Sequence, residues 1–108
     1  MHKEFIEITV TDTPKLWCVY MIQCSDNSLY TGITNDLKRR FEQHCAGAGA
    51  KYFRGRQAVA VVYAEYGHSR STASKREYYI KQLKINKKIK LIASPDNTID
   101  SSRTPVKN

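Results

Sequence analysis

Long apolar runs are missing from this sequence, and that absence limits the classes of protein it can belong to. None of its apolar stretches approaches the roughly 18 residues that a membrane-spanning helix requires. An export signal would place a continuous apolar segment near the N-terminus, whereas acids interrupt this one at Glu4 and Glu7. We therefore predict a soluble, cytoplasmic protein with no membrane partner.

Cysteine is scarce, and its spacing suits neither disulfide bonds nor a metal site. The three cysteines are Cys18, Cys24 and Cys45, an odd number with no C-x-x-C pair. This pattern argues against a disulfide framework and against a structural zinc site. We interpret the three thiols as small buried apolar groups in a reducing compartment.

Acidic residues are also few, with 10 Asp and Glu against 18 Lys and Arg, giving a net charge of +8. The excess is concentrated in residues 15–92, which contain fifteen basic and five acidic side chains. Such a field attracts DNA, RNA or anionic membrane. No long basic amphipathic helix with a bulky apolar face is present, so nucleic acid is favoured over membrane. A basic protein with no polyanionic partner is the simpler alternative.

The 108 residues match the size of one domain. Residues 1–14 contain a brief apolar–polar alternation and are predicted to form an N-terminal arm or edge strand. Residues 15–92 are predicted to form the folded domain. Residues 93–108 are polar, rich in Ser, Pro and Asn, and without periodicity, which indicates a polar C-terminal tail.

A β-hairpin is predicted near the start of the folded domain. Residues 16–22 and 29–34 are rich in β-branched and aromatic side chains, and residues 25–28 have the composition of a turn. Two such runs joined by a short polar segment are typical of antiparallel strands. A third strand is predicted from Ala58 to Tyr66.

The first helix is predicted between the hairpin and the third strand. Thr34 or Asn35 would cap it, with Asp36 in the first turn, where a negative charge is favourable. The helix would continue to about Ala46, before the glycines of a Gly-Ala-Gly segment.

The second helix is predicted to begin at Ser69 or Ser71 and to continue to about Lys84. A short helical segment around residues 87–92 would follow. The resulting β-β-α-β-α order predicts an α+β fold, a small three-stranded antiparallel sheet flanked by helices.

Arg40 and His44 lie four residues apart in the first helix, along one edge of the apolar stripe of Leu37, Phe41 and Cys45. Each residue alone is explained as a solvated charge or a surface histidine. Together they indicate a pair at the rim of the core, anchored and still able to reach a ligand.

Glu77 is the sharper anomaly, because it falls within the core-facing side of the second helix. A buried carboxylate needs a partner or a metal ion. Lys81, one turn later, would provide an ordinary salt bridge, and the pattern alone leaves both interpretations open. Tyr20 and Tyr30 would lie near each other across the hairpin, although tyrosine is common in strands.

Five short elements follow one another along the chain: Cys18-Val19-Tyr20, Tyr30-Thr31-Gly32, Arg40, His44 and Glu77. Their order and spacing resemble the signature of the GIY-YIG nuclease superfamily, in particular its small stand-alone bacterial members. The basic loop from Lys51 to Arg56 and the Lys75-Arg76-Glu77 tripeptide add to the resemblance, which covers about residues 16–92. The chain departs from the signature at Cys18 and Thr31, where the family has glycine and isoleucine.

The resemblance implies a division of roles among the site residues. Glu77 would bind one Mg²⁺ or Mn²⁺ ion, and Arg40 would pair with the scissile phosphate. Tyr20, helped by Tyr30 or His44, would orient or deprotonate the attacking water. His44 is an alternative base, because histidine ordinarily titrates near neutral pH.

Further residues are expected to contact nucleic acid. They are Gly32, Arg39, Lys51, Arg54, Arg56, Lys81 and Lys84. The resemblance implies a metal-dependent nuclease of DNA, with endonuclease activity favoured over exonuclease activity. Its substrates would be branched, nicked or single-stranded DNA, and it would act in repair or recombination. RNA is a second candidate substrate, and the oligomeric state is left open. The alternative is a nucleic-acid-binding module with weak or no catalytic activity.

Overall fold

The computed structural model describes residues 16–99, which form an α+β structure in the predicted β-β-α-β-α order, followed by a further short helix. The predicted N-terminal arm, residues 1–14, lies outside the described residues. The strands are β1 (Trp17–Cys24), β2 (Leu29–Thr34) and β3 (Ala58–His68). The helices are α1 (Leu37–Cys45), α2 (Arg70–Lys81) and α3 (Ile85–Ile92), with a 3-10 turn at Lys51–Phe53. None of the helices in this part of the chain is long and apolar enough to cross a membrane.

The three strands form one antiparallel sheet in the order β2-β1-β3. The turn between β1 and β2 occurs at the predicted residues. Asn27 adopts a φ of 68°, a conformation that asparagine tolerates better than most residues, and the Asp26 carboxylate accepts a 3.0 Å hydrogen bond from the Ser28 amide. Since β1 is the central strand, the outer edge of β2 pairs with no other strand among residues 16–99.

Alternation along β1 divides the core between the two faces of the sheet. On one face, Tyr20 and its same-side neighbours pack with Phe41 of α1 and Phe53 of the 3-10 turn. On the other face, Met21 and its neighbours pack with Ile80 of α2, and α3 adds partly buried apolar side chains. The first helix and the second therefore cover opposite faces.

The helix ends differ from the predicted ones for local reasons. Asp36 caps α1 by accepting a 3.2 Å hydrogen bond from the Arg39 amide, whereas Thr34 Oγ1 accepts the amide of Asp36 itself. At α2 the cap is Ser69, which forms a capping box with Thr72. This helix ends at Lys81, earlier than predicted, because the chain turns there to begin α3.

Residues 94–99, part of the predicted polar tail, are joined to β3 by hydrogen bonds. The Asn97 amide nitrogen donates to the carbonyl oxygens of Val62 (2.9 Å) and Ile92 (2.8 Å), and its oxygen accepts from the Ala64 amide. The Thr98 amide donates to the Ala64 carbonyl at 2.8 Å. This segment lacks the periodicity of a helix or strand and is held by hydrogen bonds of the Asn97 side chain and of the Thr98 backbone. Residues 100–108 lie outside the described residues.

Candidate active site

Tyr20 is in the middle of β1, directly opposite Gly32 of β2. Its side chain is 1% exposed, and its phenol fills the space beside Gly32. A Cβ atom at position 32 would stand 2.5 Å from the Tyr20 hydroxyl oxygen, closer than unbonded atoms approach. Gly32 is therefore required for the position of the Tyr20 ring.

His44 is buried, which corrects the prediction that it looks out from the rim of the core. It is 1% exposed, and its imidazole stacks on the Phe53 ring with centroids 4.2 Å apart. The 3-10 turn that carries Phe53 covers this side of α1, and helical periodicity could not reveal that cover. His44 Nε2 and the Tyr20 hydroxyl are hydrogen-bonded at 2.9 Å.

Burial keeps both partners of this hydrogen bond uncharged. It lowers the pKa of His44 to about 4, and the nearby positive charge of Arg40 contributes, against a smaller opposing effect of the Ala48 backbone. Burial also raises the pKa of Tyr20, as does Tyr30, while a hydrogen bond with Arg40 acts in the opposite direction. At neutral pH the pair is a phenol and a neutral imidazole, and the tautomer of His44 decides which group donates.

Arg40 is half-buried beside this pair. Its Nη1 donates a 2.9 Å hydrogen bond to Gln43 Oε1, which orients the guanidinium. The positive charge of Arg40 acts to lower the pKa of Tyr20, Tyr30 and His44, so the guanidinium is a close electrostatic neighbour of all three. The structure thus brings Arg40, Tyr20, Tyr30 and His44 together.

Tyr30, on β2, is half-buried at the centre of an aromatic cluster. Its ring centroid lies 6.2 Å from that of Tyr20, 5.3 Å from His44, 4.9 Å from Phe53 and 5.1 Å from Tyr52. Burial is the main cause that raises its pKa. Rings from four segments of the chain, β1, β2, α1 and the 3-10 turn, pack together and fix one another's positions.

Glu77 reaches the cluster from α2. Its side chain is 22% exposed and pairs with Lys81, with Oε2 3.0 Å from Nζ. Glu77 acts to raise and Lys81 to lower the pKa of Tyr30, so both charges lie near that phenol. Because α2 packs on the face opposite to Tyr30, the group wraps around the outer edge of β2. The site residues therefore come from both faces of the sheet.

A divalent ion at this position would have one protein carboxylate. Within residues 16–99, no group of three or more His, Cys, Asp or Glu side chains is placed to hold a metal. Mg²⁺ often takes one carboxylate and fills its other positions with waters and phosphate oxygens. Glu77, partly exposed at the sheet edge, fits that kind of coordination if Lys81 turns away.

The cations expected to contact nucleic acid differ in their surroundings. Lys51 and Arg54, on the 3-10 turn and its end, are exposed, as are Arg39, Lys81 and Lys84. Arg56 is engaged within the protein. Its Nε donates to Asp26 at 2.8 Å, and its guanidinium lies 4.1 Å from the centroid of the Tyr52 ring.

Three side chains that shape the site were missed by the sequence argument: Gln43, Tyr52 and Phe53. Gln43 orients Arg40, and the two aromatic residues pack on Tyr30. The contact between Gln43 and Arg40 could have been predicted from the sequence, because residues three positions apart on a helix are neighbours on its surface. Phe53 and Tyr52 are in an irregular loop, where no periodicity indicates which way a ring points.

Comparison with known proteins decides the family. The family model described as the GIY-YIG catalytic domain matches residues 16–90. The chain belongs to the GIY-YIG family. A UPF0213 protein of Clostridium perfringens is 51% identical over 76 residues, which cover 70% of this chain and 82% of the relative. UPF0213 protein YhbQ of Escherichia coli is 44% identical over 77 residues, covering 71% and 77%.

A solved structure supports the same fold. The solution NMR structure of a UPF0213 protein from Bacillus halodurans has 36% sequence identity and a TM-score of 0.50. It covers 81% of this chain and 93% of the other. The predicted resemblance to small stand-alone bacterial GIY-YIG proteins and the predicted fold class are both confirmed.

Proposed function

We propose that this GIY-YIG protein is a metal-dependent nuclease that hydrolyses phosphodiester bonds of DNA. The observation that carries the proposal is the buried Tyr20–His44 hydrogen bond with the Arg40 guanidinium beside it. A structural core has little use for a half-buried cation among neutral rings, since desolvation makes it costly. Among residues 16–99 no carboxylate forms an ion pair with this guanidinium, and a phosphate would supply that negative charge.

The neutral pair suits proton transfer from water. In the tautomer where Tyr20 donates to His44 Nε2, the phenol oxygen accepts a proton from the attacking water while its own proton passes to the imidazole. Tyrosine then never has to become a free phenolate, whose formation burial opposes. The imidazolium that results is disfavoured beside Arg40, and a bound phosphate would offset that repulsion.

Arg40 and Glu77 would act on the phosphate itself. The guanidinium of Arg40 pairs with the non-bridging oxygens and stabilises the additional charge of the transition state. Glu77 would hold one Mg²⁺ or Mn²⁺ ion, which when bound stabilises negative charge on the leaving oxygen. Lys81 then becomes free to contact the backbone of the bound strand.

The decisive experiment compares two carboxylates that each pair with a lysine one helical turn away. Glu77 pairs with Lys81 at 3.0 Å, and Glu42 pairs with Lys38 at 2.9 Å, both one helical turn apart. With Mg²⁺ or Mn²⁺, we expect Glu77→Gln to lower the cleavage rate of plasmid and branched DNA by about 100-fold or more. Glu42→Gln should cleave as the unchanged protein does. Equal activity of both variants would contradict the proposal.

A binding module without catalysis is the second candidate, and the Glu77–Lys81 ion pair favours it. If this pair persists on nucleic acid, no carboxylate is free for a metal. That reading predicts salt-sensitive binding to DNA or RNA with no cleavage under any metal. Running the same assay on RNA of matched sequence also tests the substrate class.

A further inference from the structure

We infer that a pocket beside Arg40 binds one nucleobase that has left the base stack, next to the phosphate that is cut. The inference rests on the proposed nuclease function. The pocket measures about 270 Å³ and lies where β1 begins, β2 ends and α1 starts. The lining residues that the argument uses are Trp17, Asn35, Asp36, Arg39, Arg40 and Gln43.

The lining has the chemistry of a base site. Trp17 is one of the lining residues, and an indole ring is the kind of surface on which bases stack regardless of their identity. Asn35 and Gln43 each offer a donor and an acceptor, which are the groups that recognise base edges.

Asp36 argues against a site for phosphate alone. Its carboxylate is part of the wall and already accepts the Arg39 amide at 3.2 Å, so it occupies the amide end of α1 that an anion would seek. A second phosphate there would meet a negative charge. A neutral base with N–H donors would instead find an acceptor in the same carboxylate.

Trp17 is held firmly enough to serve as a platform. It is half-buried and packs against the core on the face of α2 and α3. The Arg70 guanidinium lies 5.4 Å from the centroid of its ring, a cation–π contact that further limits its movement.

Arg40 connects the pocket with the cleavage chemistry. Arg40 lines the pocket, and its guanidinium is also close enough to Tyr20 to lower the pKa of that phenol. A phosphate paired with Arg40 would therefore have a neighbouring nucleoside at the mouth of the pocket. A base inside a duplex is stacked and paired, so only an unpaired or flipped base can enter.

The test uses Trp17 itself, because it is the single tryptophan of the chain. Its fluorescence is measured in the Glu77→Gln variant with EDTA, while a ten-nucleotide oligodeoxyadenylate is added. An abasic strand of equal length, which keeps every phosphate, is the comparison. We expect quenching by the adenylate strand, and an affinity for the abasic strand that is at least about five-fold lower.

Two asparagine variants test whether the quenching arises from binding in this pocket. Asn35→Ala removes an amide from the pocket wall, and Asn86→Ala removes an exposed amide from α3. Only the first should weaken the quenching titration, while both keep the circular dichroism of the unchanged fold. Equal quenching by the abasic strand, or an unchanged titration in Asn35→Ala, would overturn the inference.

Failure of the pocket and failure of the nuclease proposal give different results. If the unchanged protein cleaves DNA but shows no base-dependent quenching, the inference that the pocket binds a base is wrong and the nuclease proposal stands. Base-dependent quenching in a protein that never cleaves supports the pocket and contradicts the nuclease.

Discussion

The Tyr20–His44 hydrogen bond joins two titratable side chains that are each 1% exposed and each uncharged near neutral pH. Before any reaction, such a pair places no charge in a low-dielectric site, where a buried ion would be costly. The same burial opposes protonation of His44 in the folded protein, and this consequence is measurable without any substrate.

His44 should make stability fall at acid pH. Its pKa in the folded protein is about 4, below the ordinary 6.5, so the unfolded chain binds more protons between these values. The contribution is fully present above pH 6.5 and is lost as pH falls through 4. We expect the free energy of unfolding to lose on the order of 2 kcal/mol in this interval from His44. Urea unfolding at pH 7, 5.5 and 4 measures the loss.

The matched variant is His44→Gln, which has no group that titrates in this range. Its free energy of unfolding should fall less steeply with acid than that of the unchanged protein. An identical slope for the two proteins would show that His44 does not carry the effect.

Gly32→Ala should disturb Tyr20 more than any other part of the fold. The new methyl group would meet the Tyr20 hydroxyl oxygen at 2.5 Å and ring carbon Cζ at 2.7 Å, so the ring must move. We expect a loss of about 1–3 kcal/mol in stability and up to about 100-fold in cleavage rate. Thermal unfolding and single-turnover cleavage measure the two effects.

Gly67→Ala is the control for Gly32→Ala. Gly67 has a φ of +87°, and no atom of residues 16–99 other than its chain neighbours lies within 4 Å of where its Cβ would be. Alanine there strains the backbone by about 1 kcal/mol without touching Tyr20. Its cleavage rate should be unchanged. If the two alanine variants cleave equally well, Gly32 has no special relation to the Tyr20 ring.

At the scale of the elements, local pattern predicted most of what the chain forms. The alternation of residues 16–34 and its polar turn predict the hairpin, because side chains on a strand point alternately to opposite faces. The residue at which each helix begins was harder to predict. Three neighbouring residues between 34 and 36 can each cap a helix, and only the conformation of the chain determines that Asp36 does so.

The position of the site on these elements was less predictable. Sequence spacing indicated that Arg40 and His44 share an edge of α1, yet Phe53, from a loop distant in sequence, decides that His44 is buried. The inward position of Glu77 was also indicated by spacing. That α2 brings it around the edge of β2 follows from packing on the opposite face, which no local pattern encodes.

Asn97 should stabilise the fold although it belongs to a segment without regular structure. Its side chain makes hydrogen bonds to Val62, Ala64 and Ile92, which tie the end of α3 to β3. We expect Asn97→Ala to lower the free energy of unfolding by about 1–3 kcal/mol, because three partly buried backbone groups lose their partner. Asn86→Ala, on the exposed side of α3, should change it by less than about 0.5 kcal/mol. Equal stability of the two variants would contradict this role.

At the scale of the whole molecule, the net charge of +8 explains attraction to a polyanion but not the path that a strand takes. The loop that carries Lys51, Arg54 and Arg56 offers a way to map that path. Lys51 and Arg54 are exposed, whereas Arg56 pairs with Asp26 and covers the Tyr52 ring. Similar charges in one loop therefore differ in their freedom to meet a phosphate.

The salt dependence of DNA binding should separate Arg54 from Arg56. Each cation that contacts a phosphate adds about 0.9 to the slope of log affinity against log salt concentration. We expect Arg54→Ala to reduce the slope by about this amount, and Arg56→Ala to leave it nearly unchanged. Fluorescence anisotropy of a labelled duplex between 50 and 300 mM salt, about the range in which such slopes are measured, gives both values. A larger reduction in Arg56→Ala than in Arg54→Ala would mean that Arg56 leaves Asp26 when the strand binds, and the loop would then be rearranged by its substrate.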